Sequence, residues 1–303
     1  MLCKGTQGGW RKYPENPVLG GNLGTCFDVS VLRENEKYRM YFSWRPQKCI
    51  ALVESTDGFR WNAPVICIKP VPTGNGWQDD LNRPCVVMHG GKYHLWYTGQ
   101  FKPGQADGSS RIFYAISEDG IRFTKVQDTP VLFPEEKWEK TAVMNPDVLW
   151  DPESGIYRMW YSAGEQYEPN AIGYATSNDG IGWVKHNANP IFRAHPDNDW
   201  EKHKVAGCHV VYEDNLFYMF YIGYQNEHYA QIGLARSKDG ITGWERYPQN
   251  PVIAPDEGHW DQDACYKPYA LKENSRWTLW YNGRSGSSEQ IGMAVHEGLV
   301  LGF

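Results

Sequence analysis

Along this chain, apolar and polar residues alternate in short runs that return at a nearly fixed distance. The runs CIALVES (49–55), RIFYAIS (111–117), AIGYATS (171–177) and QIGLARS (231–237) carry the period near two of half-buried strands. Each ends in Ser-x-Asp-Gly, at Ser55–Gly58, Ser117–Gly120, Ser177–Gly180 and Ser237–Gly240, with spacings of 62, 60 and 60 residues. Asp-Gly between two strand-like runs predicts a hairpin, with a type I′ turn allowed by positive φ. Upstream of each lies a second hairpin whose return strand reads RMYF, HLWY, RMWY, YMFY or TLWY, ending at Phe42, Tyr97, Tyr161, Tyr221 and Tyr281. A unit of four strands repeated five times predicts an all-β, five-bladed β-propeller of four-stranded antiparallel blades. The fifth copy lacks its outer strand. Trp10-Arg-Lys-Tyr-Pro-Glu-Asn-Pro-Val near the N-terminus matches Trp244-Glu-Arg-Tyr-Pro-Gln-Asn-Pro-Val in the fourth copy. Residues 10–19 are therefore expected to complete the last blade and close the ring, which also covers sheet edges. The repeats occupy the whole chain, so 1–303 reads as one domain.

Composition narrows the function classes. A net charge of −6 and a pI near 5.9 give no basic surface for nucleic acid. The seven cysteines show no zinc-type spacing, and Cys26, Cys85, Cys208 and Cys265 fall in apolar runs as reduced core residues. The chain has no 18-residue apolar stretch and no apolar run of signal-peptide length near residue 1, so the expected location is cytoplasmic, away from membranes.

The five copies act as an internal control. A residue type repeated in every unit is scaffold, whereas channel-facing positions that differ between units are free to carry function. Ten residues before the aromatic that opens each return strand lie Asp28, Arg83, Gly207 and Lys267, with Asn145 as the equivalent in the third unit. Two residues further, facing the same way, come Ser30, Cys85, Asp147, His209 and Tyr269. Segments after the return strands converge on the same rim and bring Trp44, Arg45, Glu165, Tyr224 and Arg284. By contrast, Gln78, Glu139, Glu201 and Asp261 each follow a Trp at one repeated position, and read as loop braces.

The unit resembles the five-bladed glycoside hydrolases, the group of families 32, 43, 68, 117 and 130. The resemblance rests on the Asn-Pro steps at Asn16-Pro17, Asn189-Pro190 and Asn250-Pro251, the Tyr-x-Met-Trp-Tyr return strand and the Ser-x-Asp-Gly hairpin. It implies a base or nucleophile at Asp28, where families 32 and 43 place a carboxylate. It also implies an Asp-Pro step, where this chain has Asn145-Pro146 with Asp147 beyond it. An acid Glu is implied on the fourth inner strand, where this chain has Gly207-Cys208.

The resemblance makes glycoside hydrolysis the expected activity, as an exo-acting furanosidase or a relative, using paired carboxylates. Asp28 is expected as base or nucleophile, the plainer alternative being a charge-balanced channel residue. Glu165 leads as the proton donor over Asp80 and Asp263, then His203 and His209. Asp147 is expected to support the sugar cation, or else to pair with Lys267 or Arg83. Arg83, Lys267, His209, Arg45 and Arg284 make a cationic rim that either pairs with the acids or binds an anion, a uronate carboxylate or phosphate. Trp44 and Tyr224 offer stacking faces. Phosphorolysis and non-catalytic carbohydrate binding remain the alternatives. The expected partner is a small carbohydrate or oligosaccharide. No cofactor or metal is expected, with a channel Ca²⁺ held by oxygen ligands left open.

Overall fold

The computed structural model describes residues 5–71, 76–101, 109–165 and 169–303. The fold is all-β, and helix among these residues is confined to three 3₁₀ turns. Its strands are β1 (Trp10–Lys12), β2 (Cys26–Glu34), β3 (Lys37–Trp44), β4 (Cys49–Ser55), β5 (Val65–Ile68), β6 (Asp80–His89) and β7 (Lys92–Gln100). There follow β8 (Ser110–Ser117), β9 (Thr124–Lys125), β10 (Ala142–Asp151), β11 (Ile156–Gly164), β12 (Pro169–Ser177), β13 (Val184–Lys185) and β14 (Phe192–Arg193). The last are β15 (Lys204–Glu213), β16 (Leu216–Tyr224), β17 (Ala230–Ser237), β18 (Glu245–Arg246), β19 (Ala264–Lys272), β20 (Arg276–Ser285) and β21 (Ser288–Glu297).

Pairing is antiparallel within four-stranded units. These are β2-β3-β4-β5, β6-β7-β8-β9, β10-β11-β12-β13 (with β14 also on β12), β15-β16-β17-β18, and β19-β20-β21-β1. The N-terminal strand joins the last unit, Trp10 facing His296 and Lys12 facing Ala294, and Leu19 bridges Ile291. The innermost strands pack in sequence, β2 on β6, β6 on β10, β10 on β15, β15 on β19, and β19 back on β2.

The core lies between units. Five buried clusters each join two consecutive units, the fifth-to-first contact included, where Tyr269, Trp280 and Met293 pack with Val31, Met40 and Val53. Burying each such side chain contributes about 1.5–3 kcal/mol. Polar threads run the same way: Trp96, Trp160 and Trp280 donate their indole N–H to the carbonyls of Gly180, Gly240 and Gly58 in the following unit, and Tyr41 donates to Gly120.

The Ser-x-Asp-Gly turn differs from the type I′ expectation. Only its glycine has positive φ, whereas type I′ needs it at both central residues. The side chains close a wider loop instead. Asp119 Oδ1 accepts the N–H groups of Ile121 and Arg122 at 2.8 Å, and Ser117 Oγ accepts that of Gly120 at 3.0 Å. These donors hold the Asp119 carboxyl down at about 2. The Asn-Pro steps are cis, and each Asn side chain pairs with third-strand backbone as a neighbouring strand would: Asn16 with Met293, Asn189 with Tyr174, Asn250 with Leu234.

The Trp-acid steps are braces within a unit. Glu139 accepts from Tyr161 and Lys185, Glu201 from Arg246, and Asp261 from Tyr281 and Lys12. Six described cysteines are free and buried; Cys3 lies outside the described residues. No helix among the described residues is long and apolar enough to cross a membrane.

Candidate active site

The inner strands share one irregularity, a bulge near their N-terminal ends that takes two residues in four of them and one, Gly207, in β15. Pairing skips from Phe27 to Ser30, Asn82 to Cys85, Met144 to Asp147 and Tyr266 to Tyr269. The first skipped residue is Asp28, Arg83, Asn145 or Lys267, with φ of 53°, 55°, 52° and 48°. Left-handed backbone costs a residue with a Cβ about 1–2 kcal/mol, and bulges re-aim side chains. Four strained polar residues at one repeated position mark where the scaffold gives up stability. The glycine of the set, Gly207, does not have positive φ.

These strands and the ends of their neighbours enclose a cavity of about 230 Å³. One wall is polar, from Asp28, Arg45, Asp80, Arg83, Gln100 and Asn145. The facing wall is a small apolar cluster of Ala206, Ile222, Ala230 and Ala264 with Tyr224 and Tyr266. Arg284 and Glu289 complete the lining. Asp28 is buried; Asn282 donates to its Oδ1 at 3.1 Å, and Arg83 Nε stands 3.7 Å from its Oδ2. Burial raises the Asp28 carboxyl above its ordinary range, with Arg83 and Lys267 pulling it down and Glu289 pushing it up. Burial also raises Asp80, against the pull of Arg45 and Arg83.

Four buried polar atoms of the lining residues have no hydrogen-bond partner in the protein: Asp28 Oδ2, Gln100 Nε2, Asn145 Oδ1 and Glu289 Oε2. Leaving each unmade costs about 1–3 kcal/mol. Three acceptors and a donor around one cavity, opposite an apolar wall, fit a ligand with several hydroxyls and one apolar face.

Of the residues picked from sequence, Asp28, Arg45, Asp80, Arg83, Asn145, Tyr224 and Arg284 meet at the cavity. Lys267 is buried close enough to act on the Asp28 charge, although it does not line the cavity. Asp147 and His209 lie one step further along the inner strands, bound to each other and to backbone. Asp147 Oδ1 meets His209 Nδ1 at 2.9 Å, Asp147 Oδ2 accepts from Val210 N, and the imidazole stacks on Tyr269. Trp44 packs against the first unit's core and donates to the Leu23 carbonyl. Glu165 stands off the cavity, exposed and paired with Lys140. His203 also lies off it, and Asp263 borders a shallower groove that shares Arg284.

Glu289 lines the cavity, where Glu165 does not. Its Oε1 accepts from Tyr266 at 2.6 Å, and Arg45 Nη2 stands 3.7 Å from its Oε2. Ser110, Pro169 and Ala230 open the third strands of units two to four, facing Gln100, Gly164 and Tyr224, and Glu289, the second residue of β21, faces Arg284 at the same register in unit five. Comparing copies at the third strand, as was done for the first, isolates this single acid. Among the described residues, no group of three His, Cys, Asp or Glu is arranged to hold a metal ion.

Comparison with known proteins bears on the fold and the family. The chain is 28% identical over 309 residues to uncharacterized protein MT1551 of Mycobacterium tuberculosis (strain CDC 1551 / Oshkosh), covering 95% of this chain and 99% of that one. It is 30% identical over 140 residues to a 1,2-beta-oligomannan phosphorylase of Thermoanaerobacter sp. (strain X514), covering 42% of this chain and 44% of that one. A solved glycoside hydrolase shares the fold, with a TM-score of 0.75 and 18% identity over 92% of this chain and 89% of its own. The model for glycosyl hydrolases family 43 matches residues 14–294, so the chain belongs to that family and is an enzyme of the glycoside hydrolase kind.

Proposed function

We propose that the five units are the blades of one closed propeller, and that the enzyme hydrolyses a terminal glycosidic bond in the cavity between them. Asp28 acts as base or nucleophile, and Glu289 protonates the leaving oxygen. The observation that carries this reading is the pair of carboxylates lining one cavity, each with an oxygen that accepts no hydrogen bond in the protein and stands 3.7 Å from an arginine, and close enough for Glu289 to raise the proton affinity of Asp28. Glycosidases need two such groups flanking the bond. A raised proton affinity makes Asp28 a stronger base once ionised. The small size of the cavity supports exo action on one sugar residue, which packs its apolar face on Tyr224, Tyr266 and Ile222. No cofactor enters this scheme.

A panel of aryl furanosides and pyranosides tests the reading. Turnover in water should fall about 10²–10⁴-fold in both Asp28→Asn and Glu289→Gln. Wild-type turnover in either variant would refute the corresponding role. A second reading, phosphorolysis, is favoured by Arg45, Arg83 and Arg284 around the same cavity, a guanidinium set suited to an oxyanion. Turnover that requires inorganic phosphate and yields a sugar phosphate would select it.

A further inference from the structure

The strained bulges are held from the preceding unit, and they are not all held alike. Seen from the return strands, Ser43, Thr98, Ser162, Ile222 and Asn282 occupy one repeated position, directly upstream of the next unit's bulge. Ser43 Oγ accepts the Arg83 N–H at 2.8 Å, Thr98 Oγ1 accepts that of Asn145 at 3.2 Å, and Asn282 Oδ1 accepts that of Asp28 at 2.9 Å. The remaining two positions make no such bond. Ile222 has no polar atom to offer Lys267, and Ser162 Oγ is unpartnered ahead of Gly207. The three latched bulge residues all line the cavity; Gly207 and Lys267 do not.

Only Asn282 also holds the side chain of the residue it latches. Its Oδ1 accepts the Asp28 backbone N–H while its Nδ2 donates to Asp28 Oδ1. A hydroxyl satisfies the first role, as Ser43 and Thr98 do, so the amide adds the second. Asn282 is itself fully buried. Its hydrogen bond occupies Oδ1 and leaves Oδ2 as the carboxylate oxygen without a hydrogen bond, 3.7 Å from Arg83 Nε, and it favours the ionised carboxylate against the cost of burial.

We propose that Asn282 is a positioning residue that sets which oxygen of Asp28 reacts and the pH at which it becomes competent. This inference rests on Asp28 serving as base or nucleophile. The informative variant is Asn282→Ser, which keeps an acceptor for the Asp28 N–H of the kind already present at Ser43 and removes only the amide donor. With the best substrate of the panel, the acidic limb of kcat/KM should move to higher pH. Activity below the limb should fall about tenfold, the scale of one hydrogen bond to a charged group, and the plateau above it should be largely kept. Asn282→Ala, which removes both bonds, should lower the plateau as well. An unmoved acidic limb in a folded Asn282→Ser enzyme overturns the inference, as does an equal loss at every pH in both variants. Asp28→Asn separates the two claims: if it retains turnover, the reading of the site fails; if it is inactive while the Asn282→Ser limb stays put, only the positioning role fails.

Discussion

Gln78→Glu should stabilise this protein, because one of its repeated braces lacks a charge. In units three and five a carboxylate accepts from a tyrosine hydroxyl and from a lysine on the outer strand: Glu139 with Tyr161 and Lys185 (2.8 and 2.7 Å), and Asp261 with Tyr281 and Lys12 (3.0 and 2.7 Å). In unit four, Glu201 binds Arg246 at 2.6 Å. Unit two keeps the tyrosine and the lysine but places Gln78 between them. Tyr97 donates to Gln78 Oε1 at 3.0 Å, and the amide nitrogen makes only a long contact of 3.4 Å to the Asp128 carbonyl. Lys125 Nζ is left buried without a hydrogen-bond partner, and burial pulls its pKa below the ordinary lysine value. An unmade buried bond costs about 1–3 kcal/mol, and more when the group is charged. A carboxylate at this position recovers part of that, less its own desolvation, so the net gain should be about 1–3 kcal/mol. For 303 residues the unfolding entropy near the midpoint is about 0.6 kcal/mol per K, which converts the gain into about 2–5 °C of Tm. Calorimetry at pH 7 on wild type, Gln78→Glu, Lys125→Met and the double variant completes the cycle. An unchanged or lower Tm in Gln78→Glu refutes the reasoning, and so does a gain that survives in the Lys125→Met background. The gain should also vanish on acidification, once the introduced carboxylate is protonated.

Asp28→Asn should raise Tm at neutral pH while abolishing turnover. Its folded carboxyl is raised, so the proton is held more tightly folded than unfolded, and the charged group costs stability above the folded pKa but not below the unfolded one. The variant's advantage in a pH series of melts should therefore appear only as pH rises, and a constant advantage would refute it. Trp10→Ala should cost about 3–5 kcal/mol in urea unfolding, because this buried indole packs edge-on against Phe220 and holds β1 on the last unit. A loss below about 1 kcal/mol would mean that β1 contributes little to the fold.

The strand pattern was readable because the repeat is carried by side chains with one structural duty in each copy that has them. The Ser-x-Asp-Gly loops, the return-strand aromatics and the Asn-Pro steps all keep their roles from unit to unit. The inner-strand comparison located Asp28, Arg83 and Asn145 for the same reason, since they replace one another at a common bulge. Glu165 was misplaced because adjacency in sequence to a return strand says nothing of direction; its carboxylate reaches out to Lys140 instead of in. Asp147 and His209 lie two residues beyond the bulge position on their own strands, and their polar atoms are consumed by each other and by backbone. Glu289 escaped because its place depends on the register of β21 against β20, and Asn282 because its effect depends on a contact between units, neither of which spacing along one strand encodes.

The pairing of β1 with β21 bears on the order in which this protein is made. The β1 segment cannot find its partner until residues near 297 have been synthesised. Until then, the last unit lacks its edge and the contact between the fifth and first units has no second half. Such long-range closure predicts slow folding. It also predicts that a circular permutant, joining the adjacent ends and opening the chain at an exposed loop between two other units, would fold to the same structure with its late step moved elsewhere.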